Sequence, residues 1–169
     1  MSAIRAFLSL GSNLGDRAGY LRAAVAALGR SDFSCVSRVS AVYETEPVEV
    51  EAGHPDYLNC AVELSCEAGA VELLRYCQGV EAALGRSEKG EKAPRTVDVD
   101  VLLYGKERAD IPGLGLPHRG VTRAFNLVTL ADLDPRLYIP GVGVVGGLRD
   151  GLDERELAGV RRLGRLDEI

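Results

Sequence analysis

Two apolar periodicities alternate along the chain, and their order restricts it to few folds. Runs of period two read as strands, and apolar residues recurring at i, i+3, i+4 and i+7 read as one helix face. Ile4 to Leu10 is a strand-like run ending at Gly11-Ser12-Asn13-Leu14-Gly15-Asp16. Asp16 suits a helix N-cap, and Leu21, Ala24, Val25 and Leu28 then share a helical face that Gly29 closes. A second strand is expected from about Ser34 to Tyr43, and a third from Tyr57 to Cys66. Ala70 to Leu84 reads as a second helix, with Leu73, Cys77, Val80 and Leu84 on one side. Thr96 to Tyr104, rich in valine and leucine, is the fourth strand. Turns and a short hairpin are expected over Gly105 to Pro117, a third helix over Arg123 to Leu133, and a helical, charged tail over Asp153 to Arg165. Strand, helix, strand, strand, helix, strand is the order of the split βαβ, ferredoxin-like motif. The expected fold is therefore α+β, a mostly antiparallel sheet with helices packed on it. A length of 169 residues suits one core, so residues 1–169 are expected to form a single domain.

Charge and cysteine usage narrow the function classes. The formal net charge of −5 disfavours nucleic acid as a partner. No apolar run approaches the roughly 20 residues a membrane helix needs. Met1-Ser2-Ala3-Ile4-Arg5 lacks the apolar region of a signal peptide, so a cytoplasmic location without membrane contact is expected. Cys35, Cys60, Cys66 and Cys77 form no C-x-x-C pair, and three of them lie in apolar stretches that suit small buried hydrophobes. With only His54 and His118 to add, a zinc cluster has little to build from.

The sharpest chemical signal is Pro94-Arg95-Thr96-Val97-Asp98-Val99-Asp100-Val101. Alternation along a strand puts Asp98 and Asp100 on one face and the three valines on the other. Two carboxylates so placed repel one another, and a cation between them resolves the conflict. Hard oxygen ligands of this kind suit Mg²⁺, which keeps waters and takes substrate phosphates. A bare D-x-D is more often a solvent-facing strand. Here Arg86, Lys89, Lys92 and Arg95 lie within ten residues just before it, which shifts the reading toward phosphate. Guanidinium groups grip phosphate oxygens bidentately, and phosphoryl transfer needs positioning and charge stabilisation above all.

Other segments are weaker singly. Gly11 to Gly15 resembles a phosphate loop, but no G-K-[ST] follows. Gly141, Gly143 and Gly146 spell G-x-G-x-x-G after Pro140, with too little chain beyond for a βαβ unit. Tyr57 and Asn59 share a strand face, and an aromatic beside an amide suits a flat heterocycle. On spacing alone, an edge-strand tyrosine and a turn asparagine are the better reading. Phe125 in isolation is best read as a core contact of the third helix, and His118 as either a phosphate donor or a loop histidine.

In order and spacing, these segments together resemble the 6-hydroxymethyl-7,8-dihydropterin pyrophosphokinase family. The matching pieces are Leu10 to Asp16, Val42-Tyr43-Glu44-Thr45-Glu46-Pro47, Pro55-Asp56-Tyr57-Leu58-Asn59, Glu81 with Gly85-Arg86, Pro94 to Asp100, and Leu116-Pro117-His118 with Arg123-Ala124-Phe125. The resemblance runs from Leu8 to about Pro140. It implies a monomeric enzyme that transfers pyrophosphate from ATP to the pterin hydroxymethyl group and releases AMP, a step toward folate. It implies two Mg²⁺ ions on Asp98 and Asp100, with ATP as co-substrate. Arg86 and Arg95 would be catalytic. Gly11, Asn13, Thr45, Val48, Tyr57, Asn59 and Phe125 would bind the pterin. Gln78, Glu81, Arg86, Lys89, Arg95, Val101, His118 and Arg123 would bind ATP. Lys92-Ala93 stand where the family usually has an aromatic and a glycine. The segment Arg86–Arg95 is expected to close only over bound nucleotide, metal and pterin. Two other readings remain open at this point: a ligand-binding module without turnover, and a D-x-D transferase using a nucleotide sugar.

Overall fold

The computed structural model describes residues 2–46, 56–85 and 96–169. Strand β1 (Ile4–Ser12) is followed by helix α1 (Arg17–Gly29), then β2 (Ser34–Val39), β3 (Val42–Thr45) and β4 (Tyr57–Cys66). Helix α2 (Ala70–Ala83) leads to β5 (Asp98–Tyr104). A hairpin of β6 (Ala109–Ile111) and β7 (Leu114–Leu116) precedes α3 (Ala124–Leu133). The chain ends with β8 (Tyr138–Ile139), β9 (Gly143–Val144), α4 (Val145–Asp150), α5 (Glu154–Ala158) and β10 (Val160–Gly164). The main sheet runs β10-β3-β4-β1-β5, with β2 also on β4, and every pair is antiparallel. With β2 and β3 counted as one interrupted strand, this is the ferredoxin-like order expected above.

Each face of the sheet has its own apolar cluster. Ala6, Leu8 and Leu10 of β1 join Cys60, Val62, Val99 and Val101 beneath α1 and α2. Phe7, Ala61, Leu102 and Leu103 face Leu127, Leu130 and Leu133 of α3 on the other side. From Ala6 to Ser12 β1 is buried throughout, as a central strand covered on both faces must be. Asp16 caps α1 as expected, its side chain accepting from the Gly19 amide. Between Val101 and Leu103 the β5 ladder on β1 carries a bulge opposite Phe7 and Leu8. A bulge turns one extra residue, so Leu102 and Leu103 both reach the α3 side.

Two sequence expectations need correction. The run from Ser34 to Tyr43 is two strands, because Ser40 and Ala41 leave the ladder. Ser40 holds the break together: its amide donates to the Ala61 carbonyl at 2.9 Å, and its hydroxyl accepts from the Ala61 amide at 2.8 Å. The charged tail is mostly not helical. A capping box between Asp153 and Glu156 starts α5, but after Gly159 the chain becomes β10 and pairs with β3. The open edge of β3 supplies hydrogen-bond partners that tail composition cannot reveal.

The G-x-G-x-x-G segment is structural. Gly141 and Gly143 have φ of +75° and +147° at the β8–β9 turn, where side chains are disfavoured. Cys60, Cys66 and Cys77 are buried and Cys35 is exposed; all four are free thiols. Burial pushes the Cys60 and Cys77 thiols up to about 12, so they stay protonated and act as small apolar side chains.

Candidate functional site

Register places the motif residues side by side. Gly11 on β1 lies opposite Asn59 of β4 on one side and Asp98 of β5 on the other. Tyr43 of β3 pairs in turn with Asn59, and Thr45 with Tyr57. The same pairing sets Ser9 between Ala61 and Asp100. Alternation therefore gathers Thr45, Tyr57, Asn59, Gly11, Asp98 and Asp100 on one face. It is the face that α3 covers, and α3 packs on the end nearer Phe7.

Asn59 is buried, and its side-chain amide donates to the Thr45 hydroxyl at 2.6 Å. Gly11 leaves room beside it. A Cβ there would stand 2.9 Å from Asn59 Oδ1 and 3.4 Å from Tyr57 Cδ1. Tyr57 is half-buried, and Asn13, at the end of the strand, is fully buried.

Asp98 is half-buried and Asp100 exposed, while Val97, Val99 and Val101 between and beside them are buried on the opposite face. His118 Nε2 stands 4.0 Å from Asp100 Oδ1. The Gly120 amide donates to His118 Nδ1 at 2.9 Å, so the ring hydrogen sits on Nε2, toward Asp100. Asn126 donates to the Gly120 carbonyl at 2.8 Å and ties this turn to the start of α3. Arg123 is the N-cap of α3. Phe125, on its first turn, is half-buried and belongs to neither apolar cluster.

On the outer edge of β5, the buried carboxylate of Glu81 accepts from the Val99 amide at 2.8 Å. Val101, two residues on, turns its backbone polar groups to the same edge. Gln78 is exposed on α2, three residues before Glu81. Glu81→Ala would leave the Val99 amide buried without this acceptor. We expect a loss of about 1–3 kcal/mol, read as a lower denaturant midpoint at unchanged slope.

The structure thus brings together Gly11, Thr45, Tyr57 and Asn59, and sets Asp98, Asp100 and His118 beside them. Val48, Arg86, Lys89 and Arg95 lie outside the described residues. Sequence reading missed Tyr43, whose hydroxyl donates to Asp132 of α3 at 2.6 Å. Burial, then this hydrogen bond, raises the Tyr43 pKa. It also missed Gly120 and Asn126. Their partners are set by the fold, and no local pattern marks them.

Asp98 and Asp100 fit a magnesium ion that arrives with a triphosphate. Among the described residues no third His, Cys, Asp or Glu completes a protein-only metal cage. Mg²⁺ is commonly held by one or two carboxylates plus substrate phosphates and water.

Comparison with known proteins places the chain in a family. The family model for 7,8-dihydro-6-hydroxymethylpterin-pyrophosphokinase matches residues 7–135. A 2-amino-4-hydroxy-6-hydroxymethyldihydropteridine pyrophosphokinase of Bacillus subtilis is 42% identical over 129 residues, covering 76% of this chain and 77% of its own. Its counterpart in Methylorubrum extorquens is 39% identical over 160 residues, covering 94% and 98%. The fold matches wild-type HPPK-DHPS of Plasmodium falciparum, solved with pteroate, at a TM-score of 0.73 and 11% identity. That match covers 95% of this chain but 48% of the longer one, so the chain spans about half the length of that protein. With the family model matching residues 7–135 and a relative at 39% identity matched over nearly its whole length, the chain belongs to the 7,8-dihydro-6-hydroxymethylpterin-pyrophosphokinase family.

Proposed function

We propose that the chain performs its family's reaction on the sheet face just described. The pterin hydroxymethyl oxygen bonds to the β-phosphorus of ATP and releases its proton to solvent, the bond from that phosphorus to the α,β-bridging oxygen breaks, and AMP leaves with that oxygen. The observation that carries this reading is the row Asn59–Gly11–Asp98 across adjacent strands. Two strand spacings, roughly 10 Å, separate a side-chain amide from a carboxylate. A bicyclic ring with one exocyclic carbon bridges such a span, its amide-rich edge on Asn59 and its hydroxymethyl toward Asp98.

Asp98 and Asp100 would hold two Mg²⁺ ions, which would supply neutralisation of the phosphate charge. Tyr57 and Phe125 sandwich the pterin, and Gly11, Asn13, Thr45, Val48 and Asn59 read its edge. Phe125, half-buried and outside both apolar clusters, has the placement a ligand-facing role needs. Gln78, Glu81, Lys89, Val101, His118 and Arg123 contact ATP, with Arg86 and Arg95 on its phosphates. The proton on His118 Nε2 is available to a phosphate oxygen near Asp100. We also read the chain as a cytoplasmic monomer of one domain. Both apolar clusters draw on the same sheet, its thiols are free as in reducing compartments, and no helix among the described residues is long and apolar enough to cross a membrane.

The test is AMP formation from Mg-ATP with and without hydroxymethyl-dihydropterin. Pterin-dependent AMP is expected; AMP that forms equally without pterin overturns the reading. A second test addresses the ring. Tyr57→Ala or Phe125→Ala should weaken pterin binding about ten-fold, with little change for a non-hydrolysable ATP analogue. Calorimetric titrations showing equal loss of both ligands would return these aromatics to a core role.

A further inference from the structure

Behind the pterin residues, on the opposite face of the sheet, lies a small charge network. Glu44 and Asp56 immediately precede Thr45 and Tyr57, so by alternation Glu44 points away from the pterin face. Arg17, the first residue of α1, donates through one nitrogen to Glu44 Oε2 at 2.9 Å and to the Asp56 carbonyl at 2.8 Å. Arg161 of β10 sits opposite Glu44 in register. Its guanidinium donates to Glu44 Oε1 at 2.8 Å and to Asp56 Oδ2 at 3.1 Å. Two arginines from distant segments thus bridge the end of β3 to the start of β4. Glu44 lies opposite Leu58, two residues from Asp56, so without the arginines two acids would stand as diagonal neighbours with no counter-charge between them.

We infer that Arg17 and Arg161 are positioning residues for the pterin half of the site, fixing Thr45 relative to Tyr57 and Asn59 from behind the sheet. The inference rests on the reading that those three residues bind pterin. The 2.6 Å bond from Asn59 to Thr45 spans the same two strands, so a change in their spacing alters the surface offered to the ring. Arg161, and Arg17 after it, hold the Glu44 carboxyl below its usual range, so Glu44 stays ionised at neutral pH. Arg161 lies beyond residues 7–135, the span of the family match.

Arg161→Ala, Arg161→Lys and Arg17→Lys would be assayed for kcat and for the KM of each substrate, with thermal unfolding in parallel. Arg161→Ala should raise the pterin KM about five-fold, the scale of a partly exposed ion-pair network, with the ATP KM and kcat little changed. Arg161→Lys should recover most of that loss because the charge opposite Glu44 returns. High salt should raise the wild-type pterin KM toward that of Arg161→Ala. A purely structural role lowers the active fraction and leaves the pterin KM alone, so an unchanged pterin KM, or equal rises for both substrates, overturns the inference. Tyr57→Ala and Asn59→Ala serve as the reference. If they leave the pterin KM unchanged, the site reading itself fails; if they raise it and Arg161→Ala does not, only the positioning role fails.

Discussion

Asp98→Asn and Asp100→Asn should each lower kcat at saturating Mg-ATP by about a thousand-fold while the protein stays folded. The size follows from the work asked of the metals. Neutralising charge on a transferring phosphoryl group is worth several kcal/mol, and about 4 kcal/mol is a factor of a thousand in rate. The fold should survive because neither carboxylate supports the core. Asp100 is exposed, Asp98 is half-buried, and the valines that anchor β5 face the other way. Removing one of two neighbouring like charges relieves repulsion. AMP release and thermal unfolding would be measured on the same preparations, with Mg²⁺ both limiting and in excess. Near-normal turnover of either variant at limiting Mg²⁺ would remove these residues from the metal site. Loss of activity together with loss of folded protein would instead assign them a structural role.

Gly11→Val should abolish most pterin affinity, by about fifty-fold, and spare the nucleotide. Gly11 sits in the regular ladder between Asn59 and Asp98, and is not among the glycines of positive φ. The substitution therefore tests space, not backbone freedom. Its Cβ would stand 2.9 Å from Asn59 Oδ1. Asn59 has little room to yield, being buried and bonded to Thr45. The added methyl groups would push against the Tyr57 ring as well. Lost hydrogen bonds to a buried amide cost about 1–3 kcal/mol, and steric exclusion adds to that. Titration of the variant with pterin, and separately with an ATP analogue, is the measurement. Normal pterin affinity in Gly11→Val would show that the ring lies elsewhere.

How much of this was legible in the sequence depended on the range of the interaction. The alternation around Asp98 and Asp100 is local, so the shared face follows from period two alone. The faces of α1 and α2 and the Asp16 cap are local too. The break at Ser40 was not legible, because Ala61, which receives and supplies its hydrogen bonds, lies in another strand. Nor was β10, since charge along Asp153 to Arg165 suits an exposed helix until the free edge of β3 is known. The same limit applies to the site. Tyr57 and Asn59 could be paired from sequence, but their neighbours Gly11 and Asp98 are set by register between strands more than forty residues apart. Phe125 in isolation reads as a core residue; the family resemblance turns it toward the ligand, and it lies outside both apolar clusters. Arg161 had no local signal at all.

The bulge in β5 has a bearing on how such sequences can drift in length. Asp98 and Asp100 take their phase from Gly11 and Ser9, whereas Leu103 and Tyr104 take theirs from Phe7 and Ala6. The two halves of the strand are therefore indexed separately. Deleting one residue between Val101 and Leu103 would remove the extra turn and disturb only the apolar contacts beneath α3. A deletion between Asp98 and Asp100 has no such slack, and would turn one carboxylate into the valine-lined layer. Insertions and deletions that survive in this strand should accordingly collect on the α3 side of Val101, with the spacing of the two acids left intact.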